Sequence, residues 1–289
     1  MANVHPGYRG LASIGNIGNV RFADASIAAR QEINAPDLIM GDWDHDAYVY
    51  GPIEVGGSIS GPVTETFASG GGDVLEWACK RTGDCGELDA NGVTLYYFCG
   101  APDGGNVYRT RSFSEVYVNS MNFSVAAGDI ANFSLDVVGK SAGDWTTDDP
   151  PRFNSSEKLI TWDKTSVSVS GGTSPAGLLN YSNFDFTVSN NIETVYSLGQ
   201  TDLFPFELVP GLRTITGSIS VYNTPRFDGA DAWDDYVASG QGSITFNIGV
   251  TSISMQVRFH RVEPASSVGP VISTVGFTGV TSQSGTPWD

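Results

Sequence analysis

The sequence contains few basic residues. Only four of its 289 residues are lysine, and 15 Lys and Arg stand against 32 Asp and Glu, which gives a formal net charge of -17. Charged residues make up 16% of the chain, whereas about 25% is usual in soluble domains. A protein that grips nucleic acid phosphates needs a basic surface. This composition excludes such a surface.

Long apolar runs and a cysteine framework are also missing. No window approaches the roughly 18 consecutive apolar residues of a membrane span, and the start MANVHPGYRG has no apolar core of a signal peptide. We therefore expect synthesis and retention in the cytoplasm, without membrane contact. The cysteines are Cys79, Cys85 and Cys99, an odd and clustered set that indicates free or buried thiols. A local disulfide bridge among them stays open.

Motifs of catalysis and of cofactor binding are absent. The histidines His5, His45 and His260 are too scattered for a zinc motif. The chain has no Walker loop and no strand-linked G-x-G-x-x-G. The run Gly139-Lys140-Ser141-Ala142-Gly143 has the spacing G-x-S-x-G, but no helical periodicity follows it, so it does not predict the strand–turn–helix of a nucleophile elbow. The sequence thus predicts a protein that is not an enzyme and has no cofactor and no bound metal.

The chain is rich in glycine, serine, threonine and alternating strands. Its 35 glycines fit a β fold with many turns. The segment Phe184–Ser189 alternates apolar and polar residues, and so does Thr214–Val221. Period-two alternation predicts antiparallel sheets with one buried face and one wet face. The wet face is built from Ser, Thr, Asn and Asp with almost no lysine, so these edges lack the usual protection against pairing with other chains.

A tandem repeat is predicted from the motif Gly-Ser-Ile-Ser. It begins at Gly57 and again at Gly217, an offset of 160 residues. Asp24-Ala25-Ser26-Ile27 matches Asp185-Phe186-Thr187-Val188 after a slip of one residue, and each copy continues into a short helical pattern, with Trp77 in the first copy and Trp233 in the second. The predicted domains are 1–140, with an insertion at about 79–100, and 158–289, joined by a linker at 141–157.

The second half resembles the bacteriophage tail tube proteins. The run LGQTDLFPFELVPGLRTITGSISVYNTPRFDGADAWDDY, Leu198–Tyr236, and the closing VISTVGFTG are similar to that family. The first half matches more loosely, since it has Tyr50-Gly51-Pro52-Ile53 in place of the Pro-Gly-Leu-Arg turn. The resemblance implies a mainly β protein with two tandem antiparallel β-sandwich or barrel domains, each with a short flanking α-helix.

The resemblance also implies an assembly and its partners. Subunits of this family form rings whose sheets join into one barrel around a lumen, and the rings stack into a tube. A duplicated chain is then expected to form a ring of three with pseudo-sixfold symmetry, in the tail of a virion assembled in the host cytoplasm. The expected partners are further copies of the chain and the tail sheath, tail terminator, baseplate or tape measure proteins. Double-stranded DNA would pass through without specific binding.

The wet face is the predicted lumen surface, because a wall of hydroxyls and acids does not hold DNA phosphates. The predicted lumen residues are Asp24, Ser26, Glu54, Ser58, Ser60, Ser134, Asp136, Asp185, Thr187, Ser189, Thr214, Thr216, Ser218, Ser220 and Thr274. Arg30 has the same parity and is the exception to this composition.

The acidic run around Trp43 can be interpreted as a calcium-binding loop or as a loop between rings or domains. Asp42, Asp44 and Asp46 have the spacing that opens a calcium loop, but Ala47 stands where such a loop needs glycine. We predict that these residues, with His45 and with Asp202 in the second copy, form an inter-ring or interdomain loop.

An alternative function is a two-domain β-sandwich binding module of a virion spike, baseplate or surface layer. A β-rich hydrolase is a weaker third possibility, since no spacing among the 32 acids points to a catalytic pair.

Overall fold

The fold is described from a computed structural model. It describes residues 11–14, 18–20, 22–34, 49–65, 74–79, 93–99, 108–148, 158–170, 181–199, 202–222, 241–262 and 272–280. The strands are β1 (Leu11–Ile14), β2 (Gly18–Val20), β3 (Asp24–Ala25), β4 (Ala28–Asn34), β5 (Val49–Pro62), β6 (Val93–Cys99), β7 (Tyr108–Ala126), β8 (Asn132–Asp148), β9 (Thr165–Ser170), β10 (Tyr181–Ser189), β11 (Ile192–Val195), β12 (Glu207–Pro210), β13 (Thr214–Tyr222), β14 (Gly242–Ile248), β15 (Thr251–Val262) and β16 (Ile272–Gly279). A helix, α1 (Val74–Cys79), and a 3-10 turn (Trp162–Lys164) accompany them.

The prediction of a mainly β protein with antiparallel sheets is confirmed. Within the described residues, fourteen strands form one curled antiparallel sheet, and β11 and β12 form a separate hairpin. α1 lies where the first flanking helix was predicted, with Val74 and Ala78 buried and Trp77 packed against the core. The second helical pattern, around Trp233, lies outside the described residues. No helix in the described part of the chain is long and apolar enough to cross a membrane.

The two halves of the chain have the same strand order. In the first half, β4 pairs with β5, β5 with β8, β8 with β7, β7 with β6 and β6 with β1. In the second half, β10 pairs with β13, β13 with β16, β16 with β15, β15 with β14 and β14 with β9. Corresponding strands also occur in the same order along the chain.

β7 joins the halves into a single sheet. Its first part pairs with β6, and its last part, Ser120–Ala126, pairs with β10. Seven consecutive residue pairs, from Ser120–Ser189 to Ala126–Asn183, form this antiparallel seam. The seam is continued by two backbone bonds, Asn190 N to Asn119 O at 2.7 Å and Ala127 N to Ser182 O at 2.7 Å.

Alternation places aromatic residues on the buried face, where they stack across the seam. Phe123 of β7 lies 5.4 Å from Phe186 of β10, measured between ring centroids. Phe246 of β14 lies 5.0 Å from Phe184 and 5.1 Å from Phe186. Because β14 thus packs on β10, the sheet of the second half folds back over its own apolar face. The buried residues of both halves form one continuous hydrophobic core.

A buried polar group ties α1 to both halves. Asn190, which is 4% exposed, donates from Nδ2 to the carbonyl oxygen of Ala78 at 3.0 Å and to that of Val118 at 2.8 Å. Its Oδ1 accepts a bond from Nε of Arg213 at 3.2 Å. Arg213 is the arginine of the Pro-Gly-Leu-Arg turn and is 7% exposed. Its bond to Asn190 gives it a structural role in linking this turn to the core.

Three details differ from the sequence predictions. β8 continues to Asp148, so the first part of the predicted linker 141–157 is a strand that pairs with β7. β6 lies within the predicted insertion at 79–100, yet it pairs with β1 and β7 and buries Leu95 and Phe98. It occupies the position that β14 has in the second half.

The third difference is the register of the upstream strands. Asp24 lies opposite Ser60, whereas Asp185 lies opposite Ser218, the counterpart of Ser58. The position matching Asp185 is therefore Ser26, two residues from the one predicted. A shift by two keeps every side chain on its predicted face.

Candidate functional site

The candidate site is the polar face of the sheet, defined as the side that β3, β4, β5, β8, β7, β10, β13, β16 and the end of β15 turn away from the core. Residues opposite one another in a sheet point to the same face. The register links Asp24 to Ser60, Ser58 to Asp136, Ser120 to Ser189, Asp185 to Ser218 and Ser220 to Thr274. All fifteen residues of the predicted lumen surface thus have positions on this one face.

The fifteen residues differ in exposure. Asp24, Ser26, Glu54, Ser134, Asp136, Thr214 and Thr216 are exposed. The remaining residues are half-buried, except Ser220, which is 5% exposed. Neighbouring side chains on adjacent strands cover them, as Thr274 covers Ser220 through a hydroxyl contact of 2.7 Å.

Cross-strand hydrogen bonds connect the polar face. Ser120 Oγ donates to Asp136 Oδ2 at 2.8 Å, and Ser218 Oγ donates to Asp185 Oδ1 at 2.5 Å. Across the seam, Asn122 Nδ2 donates to Thr187 Oγ1 at 2.9 Å. The two serine hydroxyls therefore donate to acceptors of the protein itself, and so does one of the two N–H groups of the Asn122 amide. The carboxylates remain as acceptors, which a phosphate does not need.

Sequence reasoning missed two groups of this face. The first is Ser120, Asn122 and Ser124 of β7, which alternate with the buried Met121, Phe123 and Val125. That alternation could have revealed them.

The second group is Arg258 and His260 of β15. Arg258 lies opposite Thr278, and His260 lies opposite Gly276. The imidazole of His260 lies over this glycine, where an added Cβ would come within 2.3 Å of its Nε2. Arg258 and His260 thus add basic side chains at the β15 end of the face, as Arg30 does at the β4 end.

A row of alternating charge also crosses the first half. Arg30 lies opposite Glu54 on β5, and Lys140 of β8 makes a 3.2 Å ion pair with Glu115 of β7. Since Val55 lies opposite Gly139, Glu54 and Lys140 are also neighbours on adjacent strands. Arg30 and Lys140 are therefore accompanied by acids on this face.

The predicted inter-ring loops are described only in the second half. Asp42, Asp44, His45 and Asp46 lie outside the described residues. Asp202 is exposed and precedes β12 in the β11–β12 hairpin. This hairpin exposes large apolar side chains, among them Leu198, Leu203 and Phe206.

The hairpin is attached to the first half of the chain. The backbone N of Ile53 donates to the carbonyl oxygen of Leu203 at 2.7 Å, and the Tyr196 hydroxyl donates to the carbonyl oxygen of Ile53 at 3.3 Å. Burial raises the pKa of Tyr196, and the nearby Glu54 adds to this rise, against the lowering effect of its bond with Thr194.

Possible metal ligands and the three cysteines lie partly outside the described residues. That part of the chain holds no group of three or more His, Cys, Asp and Glu residues that could bind a metal ion. Cys85 lies outside the described residues. The prediction of free or buried thiols therefore stays a prediction, and a local disulfide bridge stays its alternative.

Comparison with known proteins identifies a family for nearly the whole chain. The family model described as phage tail tube protein matches residues 6–280. A search of curated proteins found no match.

Proposed function

We propose that this chain, which belongs to the phage tail tube protein family, forms rings of three copies that stack into a tube. As a member of that family it is a structural subunit of a phage tail. The proposal concerns the finer points, which are the number of copies in a ring, the duplication within the chain and the surface that faces the channel.

The duplication is supported by the common strand order and by details of register. Arg30 lies opposite Glu54 in the first half, and Ser189 lies opposite Thr214 in the second half. Both halves then shift register by one residue. Ile33 lies opposite Tyr50 in the first half, and Ile192 lies opposite Pro210 in the second half, so a step of three residues along one strand matches a step of four along its partner. In the first half this one-residue offset lies within the β4–β5 ladder, and in the second half it lies between the β10–β13 and β11–β12 ladders. The equivalent position of the offset supports a duplication. The proposed domains are residues 1–148, which include the whole of β8, and 158–289.

The seam between β7 and β10 is the observation that carries the ring proposal. It joins two similar units edge to edge within one sheet, with their polar faces on the same side. Repetition of this contact between chains is a head-to-tail arrangement, which closes into a ring when the rotation fits. Closure also removes exposed sheet edges. Two units per chain give six units in a ring of three.

The polar face is the proposed lumen wall. It carries Asp24, Glu54, Asp136 and Asp185, and two of its hydroxyls, those of Ser120 and Ser218, donate across strands to Asp136 and Asp185. Double-stranded DNA carries one charge per about 1.7 Å of its axis, so a wall of this kind lets the duplex slide instead of holding it. DNA would pass during ejection without specific binding.

Electron microscopy of the purified protein tests the assembly. We expect rings and stacked tubes, with a mass of three chains per ring in native mass spectrometry and six similar lobes in projection. A protein that stays monomeric at all concentrations would contradict the proposal and favour the binding-module alternative. Rings of six chains would retain the tube function and refute the role of the duplication.

A further inference from the structure

We propose that the end of β15, His260–Val262, pairs with the β3–β4 edge of a second copy of this chain. The register places Arg30 of one copy opposite His260 of the next and brings Glu32 opposite Arg258. This inference rests on the proposed ring and specifies the interface that would close it.

The two edges are open in the described part of the chain. β14 pairs with β15 only as far as Val257, whereas β16 pairs with it as far as Val262. His260, Arg261 and Val262 therefore have a strand on the β16 side, and no described strand on the other. Likewise β3 and β4 pair with β5 alone among the described strands.

The internal seam supplies the register. Ser120 of β7 lies opposite Asp136 of β8, and His260 of β15 lies opposite Gly276 of β16. Asp136 and Gly276 are themselves equivalent, because they lie opposite Ser58 and Ser218, the matching serines of the two Gly-Ser-Ile-Ser motifs. His260 is therefore the counterpart of Ser120.

Arg30 is the counterpart of Ser189 by the same reasoning. They lie opposite Glu54 and Thr214, which are separated by the offset of the two motifs. Within the chain, Ser120 lies opposite Ser189. Transferring this pair to the open edges places His260 opposite Arg30. In the same way, the pair of Asn122 and Thr187 places Val262 opposite Ala28.

The charges of Arg258 and Glu32 favour the register that places His260 opposite Arg30. β7 has an irregularity between Val118 and Ser120 against β8, whereas β15 pairs with β16 without one. The internal seam ends at the pair of Ser120 and Ser189, and β14 pairs with β15 up to Val257. The proposal extends the intermolecular register by two residues beyond His260, which would bring Arg258 opposite Glu32. Both side chains are exposed, and opposite charges facing each other across strands attract.

The pair of His260 and Arg30 is compatible with this arrangement. Arg30 has Glu54 beside it on β5, and the His260 ring leans over Gly276, toward β16 and away from the open edge. A slip by one residue would turn every polar side chain of the joining strand to the other face. The register is therefore constrained by both the faces and the charges.

Disulfide trapping tests the register in assembled tubes. The doubly substituted chain Arg30→Cys with His260→Cys should give, after mild oxidation, covalent dimers and trimers in a denaturing gel, since directly opposite residues have Cα atoms about 4.5–5.5 Å apart and a disulfide spans about 4.4–6.8 Å. The single variants control for the native cysteines. The pair Arg30→Cys with Arg258→Cys, displaced by two residues, should give at least several-fold less product.

Charge exchange provides an independent measurement that leaves the native thiols unchanged. Arg258→Glu and Glu32→Arg should each raise the protein concentration needed for tube formation several-fold. The combined variant should return that concentration close to the wild-type value. Thermal melting of the unassembled chain should be unaffected, since both side chains are exposed.

The outcomes separate this inference from the proposed function. Tubes that form normally, but are trapped by the displaced pair and not by Arg30→Cys with His260→Cys, would overturn the register and leave the tube function intact. Charge variants that assemble like the wild type would likewise refute the contact between Glu32 and Arg258. Failure of the wild-type chain to form rings would instead overturn the proposed function.

Discussion

Reversal of charge on the polar face should make the tube retain DNA. We consider Asp136→Lys, at an exposed position in the middle of the sheet, where the carboxylate accepts a 2.8 Å bond from Ser120 Oγ. Loss of one exposed hydrogen bond should lower the free energy of unfolding by less than about 1 kcal/mol. The apolar face is unchanged, so tubes should still assemble.

The effect on DNA follows from the number of new contacts. A ring of three chains would gain three lysines. If each contacts one phosphate, the logarithm of the binding constant should fall with the logarithm of salt concentration with a slope of about -2.7 per ring. Affinity should then fall about 40-fold between 50 mM and 200 mM salt. Wild-type tubes should show neither the binding nor the slope.

Co-sedimentation of short linear duplex DNA with tubes assembled in its presence measures this binding. Asp163→Lys is the matched control, because it makes the same charge change at an exposed position in the turn Trp162–Lys164, before β9. If the Asp136→Lys tubes bind no more DNA than wild type at any salt concentration, the polar face does not line the channel. Equal binding by both variants would show that the location of the charge is immaterial.

Two further predictions concern stability and pH. Phe246→Ala should lower the free energy of unfolding by about 3–5 kcal/mol, because Phe246 is fully buried and stacks on Phe184 and Phe186; Phe206→Ala, at a 54% exposed position, should change it by less than about 0.5 kcal/mol in denaturant melts. Tyr196 donates to Ile53 only when protonated, and its pKa is raised from 10.0, so its stabilising contribution is complete below pH 10 and is lost as pH rises through the higher folded-state pKa. The difference in phenolate absorbance between wild type and Tyr196→Phe should show that late titration; a midpoint at the ordinary value would contradict it.

Local sequence was sufficient to predict the strands and their faces. Alternation in Phe184–Ser189 and Thr214–Val221 placed the phenylalanines and isoleucines on one side and the hydroxyls on the other, and the register agrees. This succeeded because side-chain direction in a strand depends only on parity along the chain. The family was likewise recognisable from the run Leu198–Tyr236.

Boundaries and insertions were predicted less well. The segment after Lys140 has little periodicity and many polar residues, yet β8 continues through it to Asp148 because the long β7 offers a partner along its whole length. Similarly, β6 was assigned to an insertion, since no matching motif marks its relation to β14. Pairing partners supply the hydrogen bonds that fix such strands, and partners are not encoded locally.

The sequence by itself determined that this is an acidic, hydroxyl-rich chain of alternating strands with a repeated motif. Only the tertiary structure decided that β7 pairs with β10, and hence that both halves share one sheet and one polar face. It also decided that Arg258 and His260 lie at the open end of β15. The physical reason is that a strand's parity is a local property, whereas its partner and register are set by hydrogen bonds and packing between residues far apart in the chain.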